Sequence, residues 1–426
     1  MLRFAVLLSV LSSAALAQHY LSTDGQHFKL NGQRVFLSGL NMAWCRYGYD
    51  FGGGAYDYVS LGDFCPHPRA AYERAIRDIR INGGNSLRVW LHVDGRHTPV
   101  FSSWGSVTQT DSTNQLITDL KSLLAYAQAR NVLVFLVLWN GAHHDDTWER
   151  LQNLIWDDLK LNTYVEHALK PLAEGLKNQR ALGGWEIMNE PEGSLKIEPD
   201  TDPCYDTSFL QGTGAGWAHW DTSGPVPIPT WTDVPRQRVL RFINRQAAAI
   251  KEKDPNHLVT VGSWSEYGQG VRNLYSDQCL QQAGGFATGV LDFYQIHTYA
   301  HGETYDSQAP FVVSDASVYT ALNDKPVVIG EFSQTKGGRM SITEQFERAY
   351  SRGYAGAWSW HYLADTTTGD DATDTTYTQL TGLRKLRNKN DQTGGGCVRI
   401  NLNGSTNYCE KKGFCYVAVR ETWPGN

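Results

Sequence analysis

The chain has 426 residues, with 38 basic and 44 acidic side chains and a formal charge of −6 at neutral pH. A composition of 41% hydrophobic and 19% charged residues excludes a disordered chain and a protein with many membrane spans. No run of Lys and Arg is dense enough to neutralise several phosphates, which argues against nucleic acid as a partner. The unusual figure is an aromatic content of 12%, with 14 Trp and 21 Tyr against 4 Met.

At the N-terminus, Arg3 precedes an apolar run from Phe4 to Leu16 broken only by serines, and Ala15-Leu16-Ala17 is a small-x-small cleavage signal before Gln18. This is the pattern of a secretory signal peptide over residues 1–17. The run is too short for a helix that must cross about 30 Å of bilayer, and no later stretch approaches the roughly 18 apolar residues of a span. A soluble, secreted protein with no membrane partner is expected, and a monomer.

Export makes disulfides an expectation for the seven cysteines, Cys45, Cys65, Cys204, Cys279, Cys397, Cys409 and Cys415. Cys45 with Cys65 would close a Gly- and Tyr-rich loop, and Cys204 with Cys279 would tie down a long insertion. Two of the last three would pair and leave an odd thiol. Asn403-Gly404-Ser405 is a glycosylation sequon, which places it at the surface.

Eight short apolar or β-branched runs recur along the chain: Val35–Trp44, Asn85–His92, Val132–Asn140, Gly184–Glu190, Leu258–Trp264, Phe293–Tyr299, Val327–Phe332 and Gly356–Trp360. Between them lie segments with apolar residues three and four apart, including Arg69–Ile81, Gln115–Arg130, Thr163–Lys177, Arg236–Lys253 and Thr343–Arg352. Strands apolar throughout, such as Leu133–Leu138, are buried on both faces, as parallel strands covered by helices must be. Eight of them alternating with helices predict an α/β protein with a (β/α)8 TIM barrel. An open doubly wound sheet would want a glycine-rich phosphate turn after an early strand, and none is present. The expected organisation is a leader over 1–17, a catalytic barrel over 18–390 with extended loops, and a disulfide-containing extension over 391–426 packed on the barrel. The long stretch from Pro191 to Pro235 carries Trp217, Trp220 and Trp231, and Thr366–Thr376 is a second polar loop. Loops of that length in a compact domain are usually functional.

In such a barrel the reacting groups sit at the C-terminal ends of the strands. Those ends offer Arg88 and His92 on the second strand, Trp139 and Asn140 on the third, and Asn189-Glu190-Pro191 on the fourth. His297 and Tyr299 end the sixth, Glu331 the seventh, and Trp358 and Trp360 the eighth. Two glutamates at the rim of a packed core are the pair that glycoside hydrolysis needs, one to protonate the leaving oxygen and one to attack or to activate water. Carboxyls about 5 Å apart would mean retention, and roughly 6.5–9.5 Å inversion. The alternative is that each merely caps the following helix. His297 and Tyr299 are two apart and so project to one side of a strand, where with Arg88 they can hydrogen-bond both carboxyls. His143-His144-Asp145-Asp146 has metal-ligand residue types, but adjacent histidines on one loop point apart and no spaced third ligand is present, so neither metal nor cofactor is expected.

Asn189-Glu190-Pro191, His297-Thr298-Tyr299 and Gly330-Glu331-Phe332, in that order and on those strands, resemble glycoside hydrolase family 5 of the large retaining clan. Arg88, within Asn85–Trp90, and Trp360 fit two further positions of the pattern. The opening Phe36–Trp44 and Leu138-Trp139-Asn140-Gly141 are most similar to secreted endo-β-1,4-mannanases of molluscs and other invertebrates. The resemblance implies cleavage of internal β-1,4-mannosidic bonds in mannan, glucomannan or galactomannan by double displacement, with Glu190 as acid/base and Glu331 as nucleophile. It implies further that Asn189 holds the sugar 2-hydroxyl, that Arg88 and Tyr299 orient Glu331, that His297 bonds near Glu190, and that Trp360 floors the subsite of the reacting sugar. Trp44, Trp139, Asn140 and His143 complete the expected substrate-binding set. The family often has a histidine at the end of the third strand, where this chain has Trp139-Asn140 and its histidines only at 143 and 144. An endo-β-1,4-glucanase with the same machinery, and a non-catalytic polysaccharide-binding protein, are the rival readings.

Overall fold

A computed structural model describes residues 19–61, 65–141, 148–217, 234–363, 375–391 and 394–408. The leader, His143, His144, Trp220, Trp231, nearly all of the Thr366–Thr376 loop, Cys409 and Cys415 lie outside the described residues. The eight parallel strands β1 (Leu37–Asn41), β2 (Ser86–Val93), β3 (Leu133–Asn140), β4 (Leu182–Asn189), β5 (Leu258–Ser263), β6 (Tyr294–His297), β7 (Val327–Glu331) and β8 (Gly356–Ser359) pair in chain order. The hydrogen-bonded register Gly356↔Leu37 to Ser359↔Leu40 closes β8 on β1. Every residue of β2, β3 and β4 is buried, which accounts for the unbroken apolar run Leu133–Trp139 in β3.

The helices take the amphipathic segments between strands. Pro68–Ile81 begins with proline, whose fixed φ suits the first turn. Ile342–Ser351 opens on a capping box in which Ser341 and Glu344 satisfy each other's backbone donors. The segment expected to start at Thr163 starts at Asp158, because the Asp157 carboxylate caps the Leu159 and Lys160 amides. It then runs through a π turn over Val165–Leu169 into Lys170–Leu176.

The expected strand Val35–Trp44 is two strands in two sheets. Gln33–Val35 belongs to a sheet with Ser22–Asp24, His27–Leu30, Asn390–Asp391 and Gly396–Cys397. At the break the Phe36 amide donates to the Cys397 carbonyl at 2.9 Å, and the Leu37 amide to the Ala355 carbonyl at 3.0 Å. This small sheet floors the barrel. Phe28 meets Phe293 edge-on at 5.2 Å, Phe293 meets Phe135 at 6.0 Å, and Phe135 lies 4.7 Å from Trp358. Val398, Ile400 and Leu402 are buried in the same core. The barrel interior is therefore largely aromatic at its base, where the Trp358 indole donates to the Ser86 hydroxyl at 3.0 Å.

Disulfides join Cys45 to Cys65 and Cys204 to Cys279, and Cys397 is also disulfide-bonded. Among the described residues no helix is long and apolar enough to cross a membrane.

Candidate active site

Glu190 directly follows β4 and takes a left-handed backbone, φ 45° and ψ 57°. That conformation is uncommon for a residue with a side chain and is disfavoured again by the proline that follows. It is held by the Glu190 amide donating to the Gly262 carbonyl at 2.6 Å and by the Gly193 amide donating to the Glu190 carbonyl at 3.1 Å. The turn carries the carboxyl over the barrel mouth, where Oε1 meets His297 Nδ1 at 2.7 Å. Glu331 closes β7, beside a register shift in its pairing with β6 that sets His297 opposite Glu331. Its Oε1 accepts from Arg88 Nη1 at 2.6 Å and its Oε2 from the Tyr299 hydroxyl at 2.8 Å.

Below this pair lies a polar layer. Arg88 Nε and Nη2 donate to Glu186 Oε2 and Oε1 at 2.8 and 2.5 Å, and Nη2 also reaches Asn189 Oδ1 at 2.7 Å. Asn41 accepts from Arg88 through Oδ1 and donates through Nδ2 to the Gly330 carbonyl at 3.0 Å. Gln295 Nε2 donates to Glu186 Oε2 at 2.8 Å. Two strand glycines make room for this layer. A Cβ at Gly262 would collide with Glu186 and crowd His297, and one at Gly330 would collide with Gln295.

Burial raises the Glu331 carboxyl above its ordinary value, and Glu190 pushes in the same direction, while Arg88 and the Tyr299 hydroxyl pull it back. Burial would lower Arg88, but Glu186 and Glu331 overcome it and hold the guanidinium protonated. Burial lowers His297 to about 4, so its ring is neutral at physiological pH. His297 Nε2 is buried without a hydrogen-bond partner. The single ring proton therefore belongs on Nδ1, where it donates to Glu190. Two carboxyls this close favour sharing one proton.

An oxygen of Glu190, an oxygen of Glu331 and a ring nitrogen of His297 all lie within 4.8 Å of one another. This is the one His/Cys/Asp/Glu trio with metal-site spacing among the described residues. It is ill suited to a cation, because the Arg88 guanidinium already occupies one Glu331 oxygen and Tyr299 the other. Around the pair, Trp44, Trp90 and Trp360 form one aromatic group, with ring centroids 5.1 to 6.1 Å apart. Trp217 and Trp264 form another, 5.0 Å apart. Trp44 follows β1 and Trp264 follows β5, strands on opposite sides of the barrel.

With this geometry in hand, the sequence matches the family described as cellulase (glycosyl hydrolase family 5) over residues 56–366. The chain belongs to glycosyl hydrolase family 5. It is 42% identical to a mannan endo-1,4-beta-mannosidase of Cryptopygus antarcticus over 407 residues, covering 94% of this chain and 99% of that one. It is 44% identical to the enzyme of that name from Mytilus edulis over 390 residues, covering 90% and 96%. The crystal structure of an endo-1,4-beta-mannanase from Eisenia fetida superposes with a TM-score of 0.80 at 46% identity, covering 90% of this chain and 99% of that one.

On this family 5 barrel, Arg88, Asn189, Tyr299 and Glu331 meet in one hydrogen-bonded network, the Glu190–His297 pair adjoins it with His297 Nδ1 3.5 Å from Glu331 Oε2, and Asn140 Oδ1 joins it by accepting from Asn189 Nδ2 at 3.3 Å. Trp360 and Trp44 stand beside it. Trp139 does not. Its neighbour Asn140 points into the barrel, so Trp139 points out, where it is fully buried and donates to Gln246 Oε1 at 3.2 Å on helix Arg236–Lys253. A ring sealed between strand and helix cannot bind sugar, which corrects the expectation for that residue. Sequence reasoning missed Glu186, Gln295 and Asn41. The available signal was Glu186 itself, a carboxylate inside an apolar strand, which is tolerated only with a buried partner.

Proposed function

We propose that this chain is an exported, endo-acting β-1,4-mannanase that retains anomeric configuration. The observation that carries the reading is the separation of the carboxyls, whose nearest oxygens lie within 4.8 Å. An inverting pair needs roughly 6.5–9.5 Å to admit a water, whereas a retaining pair sits about 5 Å apart. Glu331 attacks the anomeric carbon while Glu190 gives its proton to the departing glycosidic oxygen, producing a glycosyl-enzyme ester and a Glu190 carboxylate. Water then enters, Glu190 takes its proton, and the ester is cleaved. Asn189, fixed between Arg88 and Asn140, is placed to hydrogen-bond the 2-hydroxyl, where mannose differs from glucose.

Mannan as substrate is supported by relatives above 40% identity that are mannan endo-1,4-beta-mannosidases. Endo action is supported by aromatic groups on both sides of the carboxyl pair, which can hold sugars on either side of the cut bond. Export is supported by the leader sequence and by disulfides, which persist in oxidising compartments. Product analysis on linear mannan with anomeric detection tests the reading: internal fragments of β configuration are expected. Release of α product would overturn retention, and preference for carboxymethyl cellulose over mannan would favour the endo-glucanase reading.

A further inference from the structure

Arg88 carries one positive charge and faces two carboxylates. Its Nε and Nη2 form a fork with both oxygens of Glu186, and Nη1 alone reaches Glu331, sharing that group with Asn41. Glu186 is wholly buried, four residues before Glu190 in the chain, and its carboxylate oxygens are taken up by Arg88 and Gln295. The double displacement has no use for it as a reacting group. We propose that Glu186 is a counter-charge that keeps Arg88 from placing its full positive charge on Glu331, so that Arg88 can hold the nucleophile without disabling it.

This rests on the reading of Glu331 as nucleophile. In the first step the bond from a Glu331 oxygen to the anomeric carbon forms as the bond from that carbon to the leaving oxygen breaks, and the Glu190 proton goes to that oxygen. The buried set Arg88, Glu186 and Glu331 thus passes from one net negative charge to none. In the glycosyl-enzyme Arg88 remains matched by Glu186. Without Glu186, Arg88 and Glu331 would be a neutral pair before attack, and the intermediate would contain an unpaired buried guanidinium, so attack would run uphill in charge. Among the described residues the charged and titratable groups that bear on Glu331 are Arg88 from β2, Glu186 and Glu190 from β4, His297 and Tyr299 from β6 and its extension, and Lys336, 5.6 Å over the Tyr299 ring. Asn41 and Gln295 contribute no charge.

The position of Gln295 permits a charge exchange, since its Nε2 lies 2.8 Å from Glu186 Oε2. The test is kcat/KM against pH on a linear manno-oligosaccharide for the unaltered protein, for Glu186→Gln, and for the double variant Glu186→Gln with Gln295→Glu. Glu186→Gln is expected to move the acid limb down by about one pH unit and to lower the plateau about tenfold or more. The double variant returns the negative charge to the layer and is expected to move the limb back up. A limb that stays put in Glu186→Gln while the plateau falls would make Glu186 merely structural and overturn the proposal. Should Glu186→Gln fail to fold, the double variant decides: a limb at the original position supports the counter-charge, and one displaced downward overturns it. Absence of turnover by the unaltered protein would instead sink the mannanase reading.

Discussion

The Glu190 carboxyl and the His297 ring meet at 2.7 Å only because Glu190 holds a left-handed backbone. A non-glycine residue in that region costs about 1 kcal/mol or more, and it persists where surrounding bonds over-determine it. Here the Gly262 carbonyl, the Gly193 amide and the wholly buried imidazole do so. Strain at one strand end thus brings the Glu190 carboxyl to His297, whose Nδ1 also lies 3.5 Å from Glu331 Oε2.

The two glutamates have separable phenotypes. Glu331→Ala is expected to abolish turnover of both mannan and aryl mannosides. Glu190→Ala should lower turnover of mannan by about 10²–10⁴-fold, the usual contribution of a general acid/base. An aryl mannoside whose leaving group needs no proton should still react in the first step and accumulate a glycosyl-enzyme, detectable as an added mass on the intact protein. Equal loss on both substrates in Glu190→Ala would remove it from the acid role.

Tyr299 is one of the groups expected to shift the pH at which the proposed nucleophile ionises. Its hydroxyl stabilises the ionised Glu331, opposing the burial that raises that carboxyl. The enzyme needs Glu331 ionised, so the rate falls as pH drops through its pKa. Tyr299→Phe removes a donor to the charged form and raises that pKa further. The acid limb of kcat/KM should move to higher pH by about half a unit to one unit, and the plateau should fall about tenfold. An acid limb that stayed still or moved down would contradict the contact.

The barrel and its paired carboxylates were legible because parallel strands buried on both faces read as apolar runs, and the polar residues ending them stand out. Which way each residue points was not. Trp139 and Asn140 are equally plausible inward neighbours until the register is known, and the β3–β4 pairing contains a shift between Val134 and Phe135. The break at Phe36 was hidden because Val35, Phe36 and Leu37 are apolar in succession, with no turn residue between the two strands. The partner of Glu186 is Arg88, on a different strand almost a hundred residues away, and nothing local announces that pairing. Helix Asp277–Gly284 spans only 8 residues, too few to display a period. The aromatic surplus divides: Trp139, Trp185 and Trp358 are fully buried structural rings, and a smaller group borders the site.

The two disulfides should separate stability from activity. Loop-closure entropy assigns about 3 kcal/mol to the Cys45–Cys65 link, across 20 residues, and about 4.5 kcal/mol to Cys204–Cys279, across 75. Replacing Cys204 and Cys279 by serine should therefore lower the unfolding midpoint more. Replacing Cys45 and Cys65 should have the larger effect on KM, because that loop begins next to Trp44 and contains Tyr47, whose ring lies 5.0 Å from Trp44. Denaturant melts paired with steady-state kinetics check both halves. A larger KM change from the Cys204–Cys279 pair would contradict the assignment of Trp44 to the site.

Trp139 and Trp360 make opposite predictions although both stand at strand ends. Trp139 is sealed between β3 and helix Arg236–Lys253, packed against Tyr164 at 5.0 Å and His92 at 4.9 Å. Trp139→Ala leaves a cavity and an unpaired Gln246, and should cost about 3–5 kcal/mol of stability. Well below its unfolding midpoint, the folded variant should keep near-original KM, because no atom of that ring faces the barrel mouth. Trp360 is 5% exposed, with its indole nitrogen buried and unpaired. It sits in the aromatic group beside the carboxyl pair, with Trp44 and Tyr299 packed against that group. Trp360→Ala should lower kcat/KM about tenfold or more, equivalent to roughly 1.4 kcal/mol of transition-state stabilisation. Its effect on the unfolding midpoint should be the smaller of the two, because the ring packs at the barrel mouth instead of between strand and helix. If Trp139→Ala instead raised KM while leaving the midpoint unchanged, the outward orientation of that ring would be wrong, and the register of β3 with it.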